Sequence, residues 1–93
     1  MKFEWDEKKN KLNIGKHGID FADAWQLFEH PLLVWQDDRY EYVEDRYIGL
    51  GMLNNMMVVF AAFVEKDVDT IRIISMRKAK KHEREKYEKA IED

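Results

Sequence analysis

The residues that could do chemistry are concentrated near the C-terminus, in the segment "IRIISMRKAKKHEREKYEK" at positions 71–89. An apolar, β-branched stretch leads directly into a basic one. Residues 72–89 contain eight Lys or Arg and three Asp or Glu, a net charge of +5, whereas residues 1–71 carry a net −6. An acidic chain with one basic end suits a polyanion bound at one place, although a solvated Lys- and Glu-rich helix would have the same composition.

Guanidinium groups in this segment could bind a phosphate and stabilise negative charge on it. Arg77 is the first candidate, because it follows the strand-like "RIIS" at the predicted end of a sheet. Arg72 is a second candidate. With regular alternation Arg77 lies on the same side as Ser75, and Arg72 points to the other side unless the strand twists or bulges. Arg46 is a further candidate, although an ion pair with a neighbouring carboxylate is the simpler interpretation.

A reaction at a phosphate would also need a group that transfers protons. His17 is the candidate for this step, since an imidazole titrates near neutral pH. Its alternative role is to bond the last carbonyls of a helix. Glu83 falls within the apolar stripe of the last helix and needs a cationic partner when buried, either Arg77 or Arg72. It could join helix to sheet or orient a catalytic group.

The remaining basic side chains are spread around the C-terminal helix and do not form one line. This distribution favours diffuse attraction to a phosphate backbone over the recognition of bases. The basic residues spread in this way are Lys78, Lys80, Lys81, Arg84 and Lys89. The residues that we expect to contact a nucleic-acid strand are Lys16, Ser75, Lys78, Lys80, Lys81 and Arg84.

Two other groups of side chains have simpler interpretations than a site. The acidic group could bind a divalent cation, but closely spaced acids in a turn are usually solvated, so we expect no metal and no cofactor; it comprises Asp37, Asp38, Glu41, Glu44 and Asp45. The helical spacing of Phe21, Trp25 and Phe28 predicts core packing more strongly than base stacking. Aromatic residues that alternate with acids could form an edge for a protein partner; these are Trp35, Tyr40, Tyr42 and Tyr47.

The length of 93 residues predicts one domain, residues 1–93, and the absence of cysteine excludes disulfides and thiolate zinc sites. The N-terminus lacks the apolar core of a signal peptide, and the longest apolar run, "MMVVFAAFV", is too short to span a bilayer. We therefore expect a cytoplasmic protein with no membrane partner.

The patterning predicts an α+β fold with two N-terminal helices, an antiparallel β-meander and a basic C-terminal helix. Asp6 and Gly18 bound the first helix, and Asp20 and Pro31 bound the second. Strands are predicted in "LLVWQDD", "RYIGLGML", "MMVVFAAFV" and "TIRIISM", with turns at Asn54-Asn55 and at residues 65–69. The third of these is apolar on both faces and predicts a central strand.

Glycines and one stripe of side chains indicate how the layers meet. Gly49 and Gly51 leave one face of their strand bare, which predicts close approach of a helix or a partner. The final helix is expected to begin near Lys78. The stripe that should face the sheet comprises Ala79, Glu83, Tyr87, Ala90 and Ile91.

Three stretches together resemble the BrnT family of bacterial type II toxin–antitoxin systems. They are "FEWDEKKNKLNIGKHGIDFADAWQLF", "DRYIGLG" and "IRIISMRKAKKHEREKYE", in the order in which the family has them. The spaced patterns "WD..KN..N..KHG..F..A...F" and "RIIS.R.A...ER..Y" carry the resemblance. It places His17 in the "KHG" element.

The resemblance implies a compact RelE-like ribonuclease fold and a toxin that cleaves RNA, which we expect to be messenger RNA, and halts translation. Cleavage without a metal needs proton transfer at the 2′-hydroxyl and at the leaving 5′-oxygen, for which His17 is the candidate, and a guanidinium group that stabilises the phosphorane, for which Arg77 is the first candidate. The resemblance also implies a BrnA-like antitoxin with a ribbon-helix-helix domain, operator DNA bound only through that antitoxin, and a homodimer within the complex. The alternative from another class is a non-enzymatic nucleic-acid-binding or operon-regulating protein whose basic helix docks phosphates.

Overall fold

A computed structural model of the chain describes residues 1–92, which form five strands, two α-helices and one 3₁₀ helix. No helix within these residues has both the length and the apolar character needed to cross a bilayer. In chain order the elements are β1 (Lys2–Glu4), α1 (Glu7–His17), the 3₁₀ helix (Phe21–Glu29), β2 (Leu33–Gln36), β3 (Tyr47–Met52), β4 (Val58–Asp67), β5 (Thr70–Lys78) and α2 (Lys81–Glu92).

Helix α1 begins and ends where the sequence predicts. The Asp6 carboxylate accepts hydrogen bonds from the backbone N–H groups of Lys8 and Lys9, as an N-cap does. Gly18 adopts a left-handed conformation, with φ of 70°, and its N–H donates to the Ile14 carbonyl. Glycine reaches this conformation at little steric cost, so the helix ends at His17.

Two buried asparagines attach α1 to the rest of the molecule. The Asn13 side chain donates to the carbonyls of Met76 and Ile19, at 2.9 and 3.0 Å, and accepts from the Met76 N–H at 3.2 Å. It thereby takes the place of a neighbouring strand at this point of β5. The Asn10 side chain donates to Asp20 and accepts from the Phe21 N–H. These bonds satisfy backbone groups that burial would otherwise leave unpaired.

The second helix lies in the predicted place but has the 3₁₀ form, and this changes which residues are buried. Phe21, Ala24 and Leu27 are at most 1% exposed, a spacing of three residues, as expected for three residues per turn. The predicted α-helical stripe was wrong at Trp25, which is 45% exposed. Phe28 does pack on the core, against Phe3 and Phe63.

The strands form a five-stranded sheet in the order β1-β5-β4-β3-β2. The predicted antiparallel meander from β2 to β5 is confirmed, with β4 at the centre. The sheet is nevertheless mixed, because the unpredicted β1 pairs in parallel with β5. Three residues are too few to show alternation, and the partner of β1 lies at the other end of the sequence. Strand β4 also continues to Asp67, so the predicted turn over residues 65–69 is shorter than expected.

Each face of the sheet carries its own apolar cluster. The 3₁₀ helix covers one face, where Val59, Ala61 and Phe63 of β4 are buried. Helix α2 covers the other face, where Tyr87 packs near Leu50, Val58 and Phe60. The predicted close approach at Gly51 is confirmed: a Cβ atom there would lie 2.8 Å from Leu32 Cδ1 and 3.3 Å from Leu27 Cδ2.

A β-bulge in β5 decides which face each of its side chains occupies. Ser75 pairs with Ala62 and Ile73 with Phe63, so Ile74 has no counterpart in β4. Ile73 and Met76 consequently both face the 3₁₀ helix, although they are three residues apart. The bulge also places Arg72 and Arg77 on the same face, that of α2. The opposite directions expected from regular alternation were therefore wrong.

Helix α2 begins three residues later than predicted, because β5 continues through Lys78. Glu83 and Tyr87 are buried as expected, and the Tyr87 hydroxyl donates to the Pro31 carbonyl at 2.7 Å. Ala79 is also buried but precedes the helix. The last turn extends beyond the sheet, so the predicted stripe was wrong there: Ala90 and Ile91 are exposed.

We predict that Asn13→Ala destabilises the protein by about 2 to 4 kcal/mol, because it leaves the buried Met76 N–H and two carbonyls without partners. Urea unfolding at neutral pH measures this loss. Lys11→Ala, on the exposed side of the same helix, is the control and should change stability by no more than about 0.5 kcal/mol. Equal effects of the two substitutions would show that the Asn13 bonds contribute nothing measurable.

Candidate nucleic-acid interface

The Arg77 side chain is fixed between a carboxylate and an aromatic ring. Its Nη1 and Nη2 donate to the two Glu83 carboxylate oxygens at 2.8 and 2.9 Å. Its Cζ lies 4.0 Å from the centre of the Phe60 ring, on the β4 residue directly opposite. The predicted alternative partner, Arg72, instead lies 3.9 Å from Glu4 at the other end of β5. Arg77 thus has a fixed orientation and remains 26% exposed.

Glu83 performs two tasks at once. It is the third residue of α2, and it accepts a hydrogen bond from the Lys80 N–H at 2.7 Å, which caps the helix. Hydrogen bonds from Arg77 lower the pKa of Glu83 and outweigh the opposing effect of burial. The carboxylate is therefore held in its charged form, and Arg77 is held with it.

A second arginine, Arg39, is held in the same way and was not predicted. Its Nε and Nη2 donate to the Asp37 carboxylate at 2.8 and 2.9 Å, and Tyr42 donates to the same group at 3.2 Å. Asp37 is only 4% exposed, so the expectation of a solvated acid was wrong for it. The bonds from Arg39 lower the pKa of Asp37 to about 2.

Both guanidinium groups lie on the Phe60 ring, since Arg39 Cζ is 5.7 Å from its centre. Trp35 meets the same ring edge-on at 6.2 Å, and the Lys86 ammonium lies 4.5 Å from the centre of the Trp35 ring. Cations and aromatic faces therefore alternate across this face of the sheet. The sequence did not indicate the group, because only the register of β2, β3 and β4 brings these side chains together.

Arg46 is the last residue of the loop between β2 and β3, the loop that also carries Arg39. Its Cζ is 4.2 Å from the centre of the Tyr42 ring, and its Nε is buried with no hydrogen-bond partner among residues 1–92. The Asp37 N–H donates to the Arg46 carbonyl at 2.7 Å, so the two residues are paired across the hairpin. Tyr42 connects Arg46 to Asp37. The predicted arginines Arg46 and Arg77 are consequently joined by a chain of contacts, although they do not touch.

His17 and Lys16 lie together at the exposed end of α1. With Ser75 and Ile74 they line a depression of about 230 Å³ beside β5. Ser75 also shares a face of β5 with Arg77, since their partners in β4 are Ala62 and Phe60. Ser75 therefore belongs both to the depression that His17 lines and to the strand face that carries Arg77.

The other predicted RNA-contacting residues are exposed around the start of α2. Lys78 and Arg84 line a second depression, of about 260 Å³, with Met56 and Met57 of the β3–β4 turn. Arg84 Nε also lies 3.8 Å from a Glu88 carboxylate oxygen. The last two predicted contacts, Lys80 and Lys81, are exposed between β5 and the first turn of α2.

Comparison with known proteins identifies a protein family and a similar solved structure. The sequence model of the family described as "Ribonuclease toxin, BrnT, of type II toxin-antitoxin system" matches residues 5–83. The crystal structure of the Brucella abortus ribonuclease toxin BrnT is 29% identical in sequence and superposes with a TM-score of 0.65. The similarity covers 87% of this chain and 99% of the Brucella chain. A search of curated protein sequences found no match.

We predict that Asp37 makes the stability of the protein depend on acid pH. Its folded-state pKa of about 2 is below its usual 3.8, so the contribution is complete above pH 3.8 and is lost as the pH falls towards 2. The loss should be about 1 to 2 kcal/mol, because Asp37 is buried but its partner is half exposed.

Urea unfolding at pH 6 and pH 2.5 measures this contribution. Asp37→Asn should reduce the difference in unfolding free energy between the two pH values. Asp38→Asn, at an exposed neighbouring position, should leave that difference unchanged. An undiminished difference in Asp37→Asn would assign the acid sensitivity to other carboxylates.

Proposed function

Because the chain belongs to the BrnT family of ribonuclease toxins from type II toxin–antitoxin systems, we propose that it cleaves messenger RNA without a metal ion and so halts translation. The family assignment confirms the resemblance predicted from the sequence. A ribonuclease toxin of this type has an RNA substrate and a protein antitoxin as partners. We also propose that the fold is RelE-like, with helices on an antiparallel meander.

The observation that carries the proposal is the fixed guanidinium of Arg77. Two of its N–H groups are bonded to Glu83 and a third to the Lys78 carbonyl, so its Nε–H and one N–H of Nη2 remain available to a ligand. A donor that is already oriented costs no reorganisation when negative charge develops on a phosphorane. Arg77 therefore stabilises the transition state, and Glu83 acts as its positioning residue.

Proton transfer is assigned to His17. The imidazole is exposed and lines the same depression as Ser75, which shares a face of β5 with Arg77. A nucleotide bound across Ser75 would present its 2′-hydroxyl or its 5′-oxygen to the imidazole and its phosphate to Arg77. Lys16 and Ser75 contact the same nucleotide.

The groups that supply positive charge at this face support a metal-independent reaction. Arg77, Arg39 and Lys86 are grouped there, so guanidinium and ammonium groups take the role that a cation would have. The two Asp37 carboxylate oxygens are engaged by Arg39 and Tyr42 and are not free for a metal.

The remaining predicted residues have secondary roles in this proposal. The exposed cations Lys78, Lys80, Lys81 and Arg84 attract the RNA backbone without reading sequence. Arg46, which lies over the Tyr42 ring, supports the β2–β3 hairpin that carries Arg39. We assign Arg72 no part in catalysis, because it lies beside Glu4 and away from Arg77. The β4 residues opposite these two arginines, Val64 and Phe60, are four positions apart.

We propose a BrnA-like antitoxin with a ribbon-helix-helix domain as the protein partner, with operator DNA bound only through that antitoxin. The antitoxin covers the cationic face around Arg77 with acidic or aromatic side chains and excludes RNA. A homodimer of this chain within the complex and action in the cytoplasm complete the proposal.

We predict that the purified chain cleaves single-stranded RNA in the presence of EDTA, and that Arg77→Ala slows single-turnover cleavage by roughly 100-fold or more. RNA affinity should change by less than about tenfold, since most of the interaction develops in the transition state. Arg72→Ala is the matched control, on the same strand and the same sheet face, and should cleave like the wild type.

Three results would contradict this assignment. RNA that is bound but left intact would favour a non-enzymatic nucleic-acid-binding protein. Activity that is lost in EDTA and restored by a divalent cation would refute metal independence. A folded and fully active Arg77→Ala protein would remove Arg77 from the site without affecting the family assignment.

We predict that His17→Ala slows cleavage by about 100-fold and removes one limb of the pH–rate profile, because the imidazole transfers a proton. His82→Ala, at an exposed position of α2, is the control and should keep the full profile. If His17 only caps α1, its substitution should lower the melting temperature and leave the activity per folded molecule intact.

A further inference from the structure

Arg39 and Arg77 come from distant parts of the sequence and converge on one aromatic ring. Arg39 lies in the β2–β3 hairpin, Arg77 lies near the end of β5, and their Cζ atoms are 5.7 and 4.0 Å from the centre of the Phe60 ring. The two Cζ atoms therefore lie no further apart than the sum of these two distances. Two like charges at such a separation repel each other, so each needs a counter-charge or a shared anion.

Each arginine is oriented by its own buried carboxylate. Asp37, with a 0% exposed side chain, binds Nε and Nη2 of Arg39, whereas Glu83 binds Nη1 and Nη2 of Arg77. Bidentate pairs of this kind fix the plane of the guanidinium group as well as its position. Tyr42 donates to Asp37 and lies under Arg46, which holds the Asp37 carboxylate in place.

Both arginines keep free donors after these bonds are made. Arg39 uses Nε and one N–H of Nη2, which leaves both N–H groups of Nη1 and the second N–H of Nη2 available, and its side chain is 52% exposed. Arg77 also donates from Nη1 to the Lys78 carbonyl at 3.3 Å, and it keeps its Nε–H and one N–H of Nη2. Both guanidinium groups lie over the same ring, on the sheet face assigned to RNA.

We propose that Arg39 and Arg77 form a two-guanidinium clamp for an RNA phosphodiester, with Asp37 as the positioning residue of Arg39. The inference rests on the proposed ribonuclease function and deepens it, since neither the sequence nor the family comparison assigns a role to Arg39. One guanidinium stabilises the reacting phosphate, and the other binds the same phosphate or the adjacent one.

An RNA strand fits the neighbouring side chains better than a protein carboxylate does. Trp35 lies beside Phe60, with the Lys86 ammonium 4.5 Å from the centre of its ring. Aromatic rings next to cations suit a strand that presents bases and phosphates in alternation. An acidic side chain of a protein partner would use the cations but not the rings.

The test compares Arg39→Gln with Arg72→Gln, the matched arginine on the same sheet face beside Glu4. Affinity is measured for an oligonucleotide with a 2′-deoxy residue at the cleavage position, and single-turnover rates are measured at saturating RNA. We expect Arg39→Gln to weaken binding about fivefold or more and to slow cleavage about tenfold, whereas Arg72→Gln changes both by less than twofold.

Arg39→Gln leaves the buried Asp37 carboxylate unpaired, so the double variant Asp37→Asn/Arg39→Gln tests the same point with a neutral amide pair. Asp37→Asn alone should weaken RNA binding while Arg39 is present and should add no further loss once Arg39 is Gln. If Asp37 had only a structural role, Asp37→Asn would instead weaken RNA binding by the same factor in the wild type and in Arg39→Gln, measured per folded molecule.

Three outcomes decide the proposal. Binding and cleavage within twofold of the wild type in the folded double variant would overturn the clamp. Normal RNA binding with weakened antitoxin binding would overturn it in favour of a protein-binding role for Arg39. If the wild type binds RNA without cleaving it, the proposed function fails, and the affinities of the variants still support or overturn the clamp.

Discussion

The extra residue at Ile74 in β5 is the constraint on which the site depends. Without a bulge, Ile73 and Met76 would face opposite sides of the sheet, and one of them would leave the core that packs against the 3₁₀ helix. The bulge keeps both in that core and thereby turns Arg77 towards α2. The demand for apolar burial on one face of the sheet therefore determines the direction of a charged side chain on the other face.

In the same region, the edge of β5 that faces away from β4 has no neighbouring strand, because β1 pairs only with Thr70, Ile71 and Arg72. Asn13 supplies the missing donor and acceptor at Met76 from the side of α1. An edge closed by a side chain leaves the surface around Ser75 open, as a further strand would not. The position of α1, and with it that of His17, follows from this pairing. The Asn13 hydrogen bonds that close this edge thus also place His17, the proposed proton-transfer residue, in the depression beside Ser75.

Local signals in the sequence were sufficient for some elements and not for others. The limits of α1 are determined by Asp6 and Gly18, and the meander by alternation and turn residues, all of them visible within a few residues of sequence. The partner of Glu83 was correctly sought among the arginines of β5. Strand β1, the 3₁₀ form of the second helix and the convergence of Arg39 on Phe60 depend on contacts between distant segments. Neither composition nor periodicity carries information about such contacts.

Glu83 connects the stability of α2 to the orientation of Arg77. The carboxylate caps the helix through the Lys80 N–H and binds Arg77 with both oxygens. Burying the two charges costs desolvation, which the bidentate geometry and the cap offset together. Loss of the first turn of α2 would release Arg77 from its orientation, and loss of Arg77 would leave a charged group buried at the start of the helix. The first turn of α2 and the orientation of Arg77 therefore depend on each other. A protein that bound α2 and displaced its first turn would release Arg77 without contacting the guanidinium group itself.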